Sequence, residues 1–218
     1  MHGYLSDGRS FYNQIKFFER DFEVFAPDLK GFGKNKGMEF PYSLDDYINE
    51  VNDYKEKYSI VKPHVIAHSF GGRIAIKATA LDGEFCDKLV LTGSAGLKQK
   101  KSIKKSLKKT AFKILSKFIK KEKLTWFYSS DYRCLDSVMK ESFKKIVGEY
   151  LDQYLVKIQN QTLIINGVLD KETPLYTAKR LNEGIKNSTL IKVEDAGHFC
   201  FLDKPFKFNT EVKEFLLS

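Results

Sequence analysis

The stretch VIAHSFGGRIAI (residues 65–76) decides how this chain is read. An apolar run that opens with the β-branched pair Val65 and Ile66 ends at Ser69, and a helix-forming pattern begins immediately after it. Small residues stand two before and two after the serine, Ala67 and Gly71. A serine held on so sharp a strand-to-helix turn needs small neighbours, because the strained backbone leaves no room for side chains. The turn lifts the hydroxyl clear of the sheet and sets a helix N-terminus beneath it, where developing negative charge is stabilised. The usual pattern for such a turn is G-x-S-x-G, and Ala takes its first position here. A serine that only caps the helix is the alternative that these five residues leave open.

Outward from this turn, apolar runs alternate with amphipathic ones. Strands are expected at 22–29 (FEVFAPDL), 64–69, 87–93, 161–167 and 188–195. Their near-continuous hydrophobicity implies burial on both faces, as in a parallel sheet. Helical patterns fall at about 10–20, 43–58, 70–81, 175–186 and 205–217. Ser43 followed by Asp46 reads as a capping start, and Pro174 and Pro205 stand where first helical turns begin. Strand–helix alternation of this kind implies right-handed crossovers and an α/β fold with a doubly wound, mostly parallel sheet. Residues 97–157 break the rhythm with helical patterns and no strand. They read as a cap inserted into a core formed by 1–96 and 158–218.

Composition narrows the class. The chain has 218 residues, 42% of them hydrophobic, with 18 Phe and 11 Tyr, which indicates one sizeable core rather than disorder. No stretch resembles a signal peptide or reaches transmembrane length. Cys86, Cys134 and Cys200 are scattered and odd in number, which argues for a reducing, cytoplasmic setting over a disulfide framework. The four histidines do not cluster as ligands, so neither metal nor cofactor is expected. The net charge of +9 is local: residues 98–123 hold twelve lysines and one acid, or +11, which leaves −2 elsewhere. Basicity confined to one segment argues against nucleic acid as a partner.

A serine alcohol is a poor nucleophile unless a positioned base takes its proton, and that base needs an orienting acid. INGVLD puts Asp170 just past the fourth expected strand, and EDAGHF puts His198 just past the fifth. Strand C-terminal ends are where an open α/β sheet gathers its site, and the order Ser…Asp…His suits this architecture. With HGY, PDLKGFG, AHSFGG, GVLD and AGH in this order, the chain resembles the α/β-hydrolase-fold serine hydrolases, in their lid-bearing, esterase-like branch, along essentially its whole length.

That resemblance implies Ser69 as nucleophile, His198 as general base and acid, and Asp170 as the orienting carboxylate. It also implies an oxyanion hole from the backbone N–H groups of Phe70 and of Tyr4, the residue after His-Gly. Asp195 competes with Asp170 for the acid's role, with Asp170 preferred. His2 is expected to brace its own loop, His68 to pack or hydrogen-bond beside the serine, His64 to lie at the surface, and Cys200 to pack. The glycines of GFG (31–33) form a turn, since the third glycine and the acid of a dinucleotide site are missing.

The family carries strands ahead of the His-Gly loop that are not in these 218 residues. Met1 is therefore expected to be the last residue of a buried strand in a longer protein, with a rebuilt sheet as the alternative. In KKSIKKSLKKTAFKILSKFIKKEK (100–123), apolar residues recur at helical spacing among lysines. The preferred reading is a lid helix with solvated lysines; attraction of an anionic substrate or peripheral contact with an anionic membrane are the functional ones. The function expected is cleavage of a carboxylic ester or similar small acyl substrate through an acyl-enzyme on Ser69. C–C bond hydrolysis and thioester hydrolysis remain open, as does a non-catalytic ligand-binding or scaffold protein of the same fold.

Overall fold

Burial of both sheet faces is what the apolar runs require, and the computed structural model, which describes residues 1–98 and 135–218, supplies it for the two inner strands, whereas the last strand, at an edge of the sheet, stays largely half-exposed. Val65–His68 (β1), Leu89–Thr92 (β2), Thr162–Gly167 (β3) and Ser188–Val193 (β4) form a parallel sheet in the order β1-β2-β3-β4. Ala67 lies opposite Leu91, Leu91 opposite Ile164, and Ile164 opposite Leu190. Side chains alternate across the pleat. Ala67, Leu89, Leu91 and Ile164 enter one core with residues of Leu44–Lys57 (α2), Phe70–Leu81 (α3) and Leu175–Gly184 (α5). Val90, Leu163, Ile165 and Val193 enter the other, with Phe18 of Tyr12–Phe18 (α1) and Phe208 and Val212 of Pro205–Leu217 (α7). Cys200–Asp203 (α6) precedes α7.

Helix ends follow local chemistry. Ser43 and Asp46 form a full capping box at the start of α2, and Pro205 occupies the first turn of α7, where its missing N–H costs nothing. The α3 helix is buried from Phe70 to Thr79, including two cations, Arg73 and Lys77. Arg73 Nη1 donates to Ile146 O at 2.8 Å and Glu149 O at 3.0 Å, at the C-terminal end of Ser137–Gly148 (α4). Lys77 pairs with Asp45 at 2.6 Å and Glu149 at 2.7 Å. A cation at the carbonyl end of a helix satisfies both its own charge and the orphan acceptors there.

Two expectations need correction. Residues 22–29 form no strand. A strand exists by pairing, and the outer edge of β1 is occupied elsewhere: Met1 N donates to Ile66 O at 2.6 Å, and His68 N donates to Met1 O at 3.0 Å. Between that edge and residues 22–27 lies a cavity of about 610 Å³ lined by Phe22, Val24, Phe25 and Ile66, so the apolar run has no neighbour to bond. The first helix is also shorter than expected, because Gly8–Phe11 forms a 3₁₀ turn that Asp7 caps. Within the expected cap, α4 and a 3₁₀ segment at Asp152–Lys157 are helical as read. The lysine-rich helix and Cys134 lie outside the described residues. Among the described residues, no helix is long and apolar enough to cross a membrane.

Removing the α2 cap isolates one local contribution. Ser43→Ala leaves the first-turn N–H of Asp46 without its acceptor and is expected to cost about 1 kcal/mol in urea unfolding. Ser43→Asp should cost less, because its carboxylate can accept the same bond. Equal losses in both variants would show that the cap is not what Ser43 supplies.

Candidate active site

Ser69 sits between the end of β1 and the start of α3 with φ 49° and ψ −104°, a region few residues other than glycine adopt. Neighbouring backbone over-determines this conformation. Ser69 N donates to Thr92 O at 3.1 Å, Ala95 N donates to Ser69 O at 3.2 Å, and Gly71 N donates to His2 O at 3.0 Å. Gly71 is needed for close approach: a Cβ there would stand 2.5 Å from Met1 O. Ala67, two residues before the serine, is fully buried.

Asp170 follows β3 in a tight turn, and its side chain is closed off from solvent. Its Oδ1 accepts from Glu172 N at 2.8 Å and Thr173 N at 2.9 Å. Its Oδ2 accepts from Thr173 Oγ1 at 2.8 Å and from His198 Nδ1 at 2.9 Å. The Nδ1–H of His198 is thus engaged, which leaves Nε2 as the ring's basic position. Burial by itself raises the Asp170 carboxyl, but the hydrogen bonds from His198 and Thr173 outweigh it and hold it below the ordinary carboxylate range. Asp195 is exposed and makes no such contact, so of the two candidate acids only Asp170 meets His198. No hydrogen bond joins the Ser69 hydroxyl to His198 among the described residues. Such bonds are often long before substrate binds.

The His-Gly loop lies against this turn. His2 Nδ1–H donates to Gly3 O at 2.8 Å, and Leu29 N donates to His2 Nε2 at 3.0 Å, so His2 ties its loop to residue 29. Burial holds the His2 pKa below its ordinary value. The Tyr4 ring stands edge-on to Phe70 at 5.4 Å, to Phe32 at 4.9 Å and to Phe143 of α4 at 5.2 Å. Its hydroxyl donates to Met139 O at 3.2 Å. Tyr4 and Phe70 therefore share one aromatic wall that α4 completes. Phe70 opens α3, where first-turn N–H groups have no partner within the helix.

Thr173 escaped the sequence reading. Its place three residues after an aspartate was the available signal, since at that spacing backbone N–H and hydroxyl both reach back to the carboxylate. His68 was read as a packing or hydrogen-bonding neighbour, and its Nε2 lies 3.1 Å from His198 O. Cys200 is buried, its thiol 3.2 Å from Thr92 Oγ1 and pushed up to about 11 by burial. Among the described residues, no group of three His, Cys, Asp or Glu side chains is placed to hold a metal ion.

Comparison with known proteins agrees with this fold. The family model for the alpha/beta hydrolase fold matches residues 1–135, and that for TAP-like proteins matches residues 144–218. The chain is 25% identical, over 94% of its length and 77% of the relative's, to 2-hydroxy-6-oxo-6-(2'-aminophenyl)hexa-2,4-dienoic acid hydrolase of Metapseudomonas resinovorans. It superposes on an esterase from Exiguobacterium antarcticum with a TM-score of 0.79 at 23% identity, covering 100% of this chain and 90% of that one. A meta-cleavage product hydrolase of Pseudomonas fluorescens IP01 gives a TM-score of 0.72 at 23% identity, with 97% and 87% covered. At that identity the two structures speak for the fold.

The depressed Asp170 carboxyl has a consequence for stability against pH. A carboxyl lowered by folding contributes stability that is present above its unfolded value of about 4 and is lost as pH falls through the lower folded value. Urea unfolding between about pH 3 and pH 7 should therefore show wild type more stable than Asp170→Asn at neutral pH, with the gap shrinking below about pH 4. A gap independent of pH would contradict the assignment.

Proposed function

Because the chain belongs to the alpha/beta hydrolase fold family, we propose that it is a serine hydrolase that cleaves a carboxylic ester or similar small acyl substrate through an acyl-enzyme on Ser69. One observation carries this reading. Ser69 occupies the strained turn ahead of a helix N-terminus, and His198, with Nδ1–H bound to buried Asp170, occupies the adjoining strand-end loop.

In the reaction, His198 Nε2 takes the Ser69 proton as Oγ bonds to the carbonyl carbon. Charge develops on the carbonyl oxygen, and the N–H groups of Phe70 and Tyr4 are the donors proposed to receive it. Asp170 keeps the imidazole in the Nδ1–H tautomer and stabilises the imidazolium without taking the proton. Collapse of the tetrahedral intermediate breaks the bond to the leaving group, which receives the proton from His198. Water then repeats the sequence and releases the acid. Thr173 holds Asp170 through both its N–H and its hydroxyl.

Residues 97–157 are proposed as the cap over this site, with α4 forming one wall through Met139 and Phe143. The substrate is a small molecule. A second reading, cleavage of a C–C bond in a related acyl compound, is favoured by the dienoic acid hydrolase relative, which is 25% identical over most of this chain. It uses the same residues with a carbon leaving group.

Two measurements test the proposal. Ser69→Ala should lower kcat/KM for small aryl esters by about a thousandfold or more while the protein stays folded. A fluorophosphonate should label wild type once, at Ser69, and leave the variant untouched. A folded wild-type protein that refuses both ester and probe would identify a binding protein of this fold instead.

A further inference from the structure

We propose that His68, as a neutral imidazole with its proton on Nε2, is a positioning residue that fixes the backbone of His198 relative to Ser69. The inference rests on the hydrolase reading above for its kinetic consequence, and on geometry for the rest.

His68 is the residue before the candidate nucleophile, and only 1% of it is exposed. Its Nε2 is 3.1 Å from the backbone oxygen of His198. A carbonyl oxygen only accepts, so the hydrogen must be on Nε2. Nδ1 is then a bare acceptor, and it is buried with no hydrogen-bond partner. The same ring lies 4.7 Å from the His198 ring, 4.8 Å from Phe199 and 5.0 Å from Phe201. On its other side it meets the His-Gly loop: a Cβ on Gly3 would stand 2.9 Å from Nδ1. One side chain thus touches both loops that flank Ser69, the one carrying Tyr4 and the one carrying His198.

Rigid placement of these loops is what a serine mechanism needs from its surroundings. Ser69 and His198 come from different strand ends, and their separation depends on loop 194–199 staying in register with the β1–α3 turn. His68 provides a direct hydrogen bond between them, from the residue adjacent to the nucleophile to the base's own carbonyl. Neutrality matters as much as the bond. During acylation His198 becomes cationic, and a second positive ring at 4.7 Å would oppose it. The groups that face His68 set its charge. Burial comes first and the His198 ring second in lowering its pKa, and the Met1 amino group lowers it further. The bond to His198 O and the Asp170 charge act the other way, and the balance is pushed down to about 3. His68 is then neutral at and well below neutral pH.

This role differs from packing, and the two part in kinetics. His68→Leu keeps an apolar side chain of similar size and removes the donor. His68→Gln keeps an N–H near the Nε2 position. With an aryl acetate, His68→Leu should lower kcat about tenfold or more and leave KM within about threefold, while His68→Gln recovers most of the loss. Unchanged kcat in folded His68→Leu, or a folded His68→Gln as slow as the leucine variant, would overturn the role. Nitrogen-15 spectra of the histidine rings, assigned with His68→Gln, test the chemistry without substrate. His68 should carry its proton on Nε2 and show no titration from pH 8 down to about pH 5. A proton on Nδ1, or titration near the ordinary histidine value, would overturn it too. A wild type inert to esters and phosphonate would remove the hydrolase reading alone, and the spectra would still decide the state of His68.

Discussion

Ser69 stands at φ 49° and ψ −104°, a conformation that costs of the order of 1–3 kcal/mol and persists only where the surroundings enforce it. The surroundings here are backbone from four places. Thr92 O at the end of β2 takes the Ser69 N–H, Ala95 N after β2 bonds the Ser69 carbonyl, and His2 O and Met1 O close on Gly71 and His68. Much of what is distinctive in the sequence around the turn answers to this crowding. Gly71 is small because nothing larger fits, and Gly72 packs on Ser94, whose Oγ would meet an added Cβ at 2.3 Å.

The rest of the site is delivered by the same edge. β3 ends at Gly167 and β4 at Val193, and the loops beyond them carry Asp170 and His198 into a 2.9 Å contact. β3 is buried along its whole length and β4 is paired to it through six residues, so the distances depend on short loops and their ties. Thr173, His68 and His2 are those ties, each a polar side chain bonded to backbone or carboxylate within the loops. The α4 helix is fastened to the same region through Tyr4 OH, Arg73 and Lys77. A change in the position of α4 would therefore be felt at the aromatic wall shared by Tyr4 and Phe70.

The fold was legible where one short-range rule decided it. The α3 and α7 helices begin and end at the residues the sequence pattern indicates, because a sharp turn after Ser69 and Pro205 at a first turn are local signals. Residues 22–29 misled for the opposite reason. Their β-branched and aromatic content is that of a strand, but pairing is a property of the neighbour, and Met1 holds the edge of β1. Arg73 and Lys77 look like ordinary helix residues, and their burial depends on acceptors more than seventy residues away in the case of Arg73. Asp170 and His198 could be picked as candidates by their place after strands, whereas Thr173 offered only its local spacing from Asp170, three residues on.

The central claim is that the strained turn aims Ser69 Oγ and two backbone N–H groups at one reacting carbonyl. A crystal structure of the protein after reaction with a diethyl phosphonate-type inhibitor tests it most directly, because the phosphoryl oxygen stands in for the oxyanion of the tetrahedral intermediate. The account predicts phosphorus bonded to Ser69 Oγ, its oxygen within about 3 Å of both Phe70 N and Tyr4 N, and His198 Nε2 turned toward Ser69. An oxygen that points to solvent, or to donors other than these two, would contradict it.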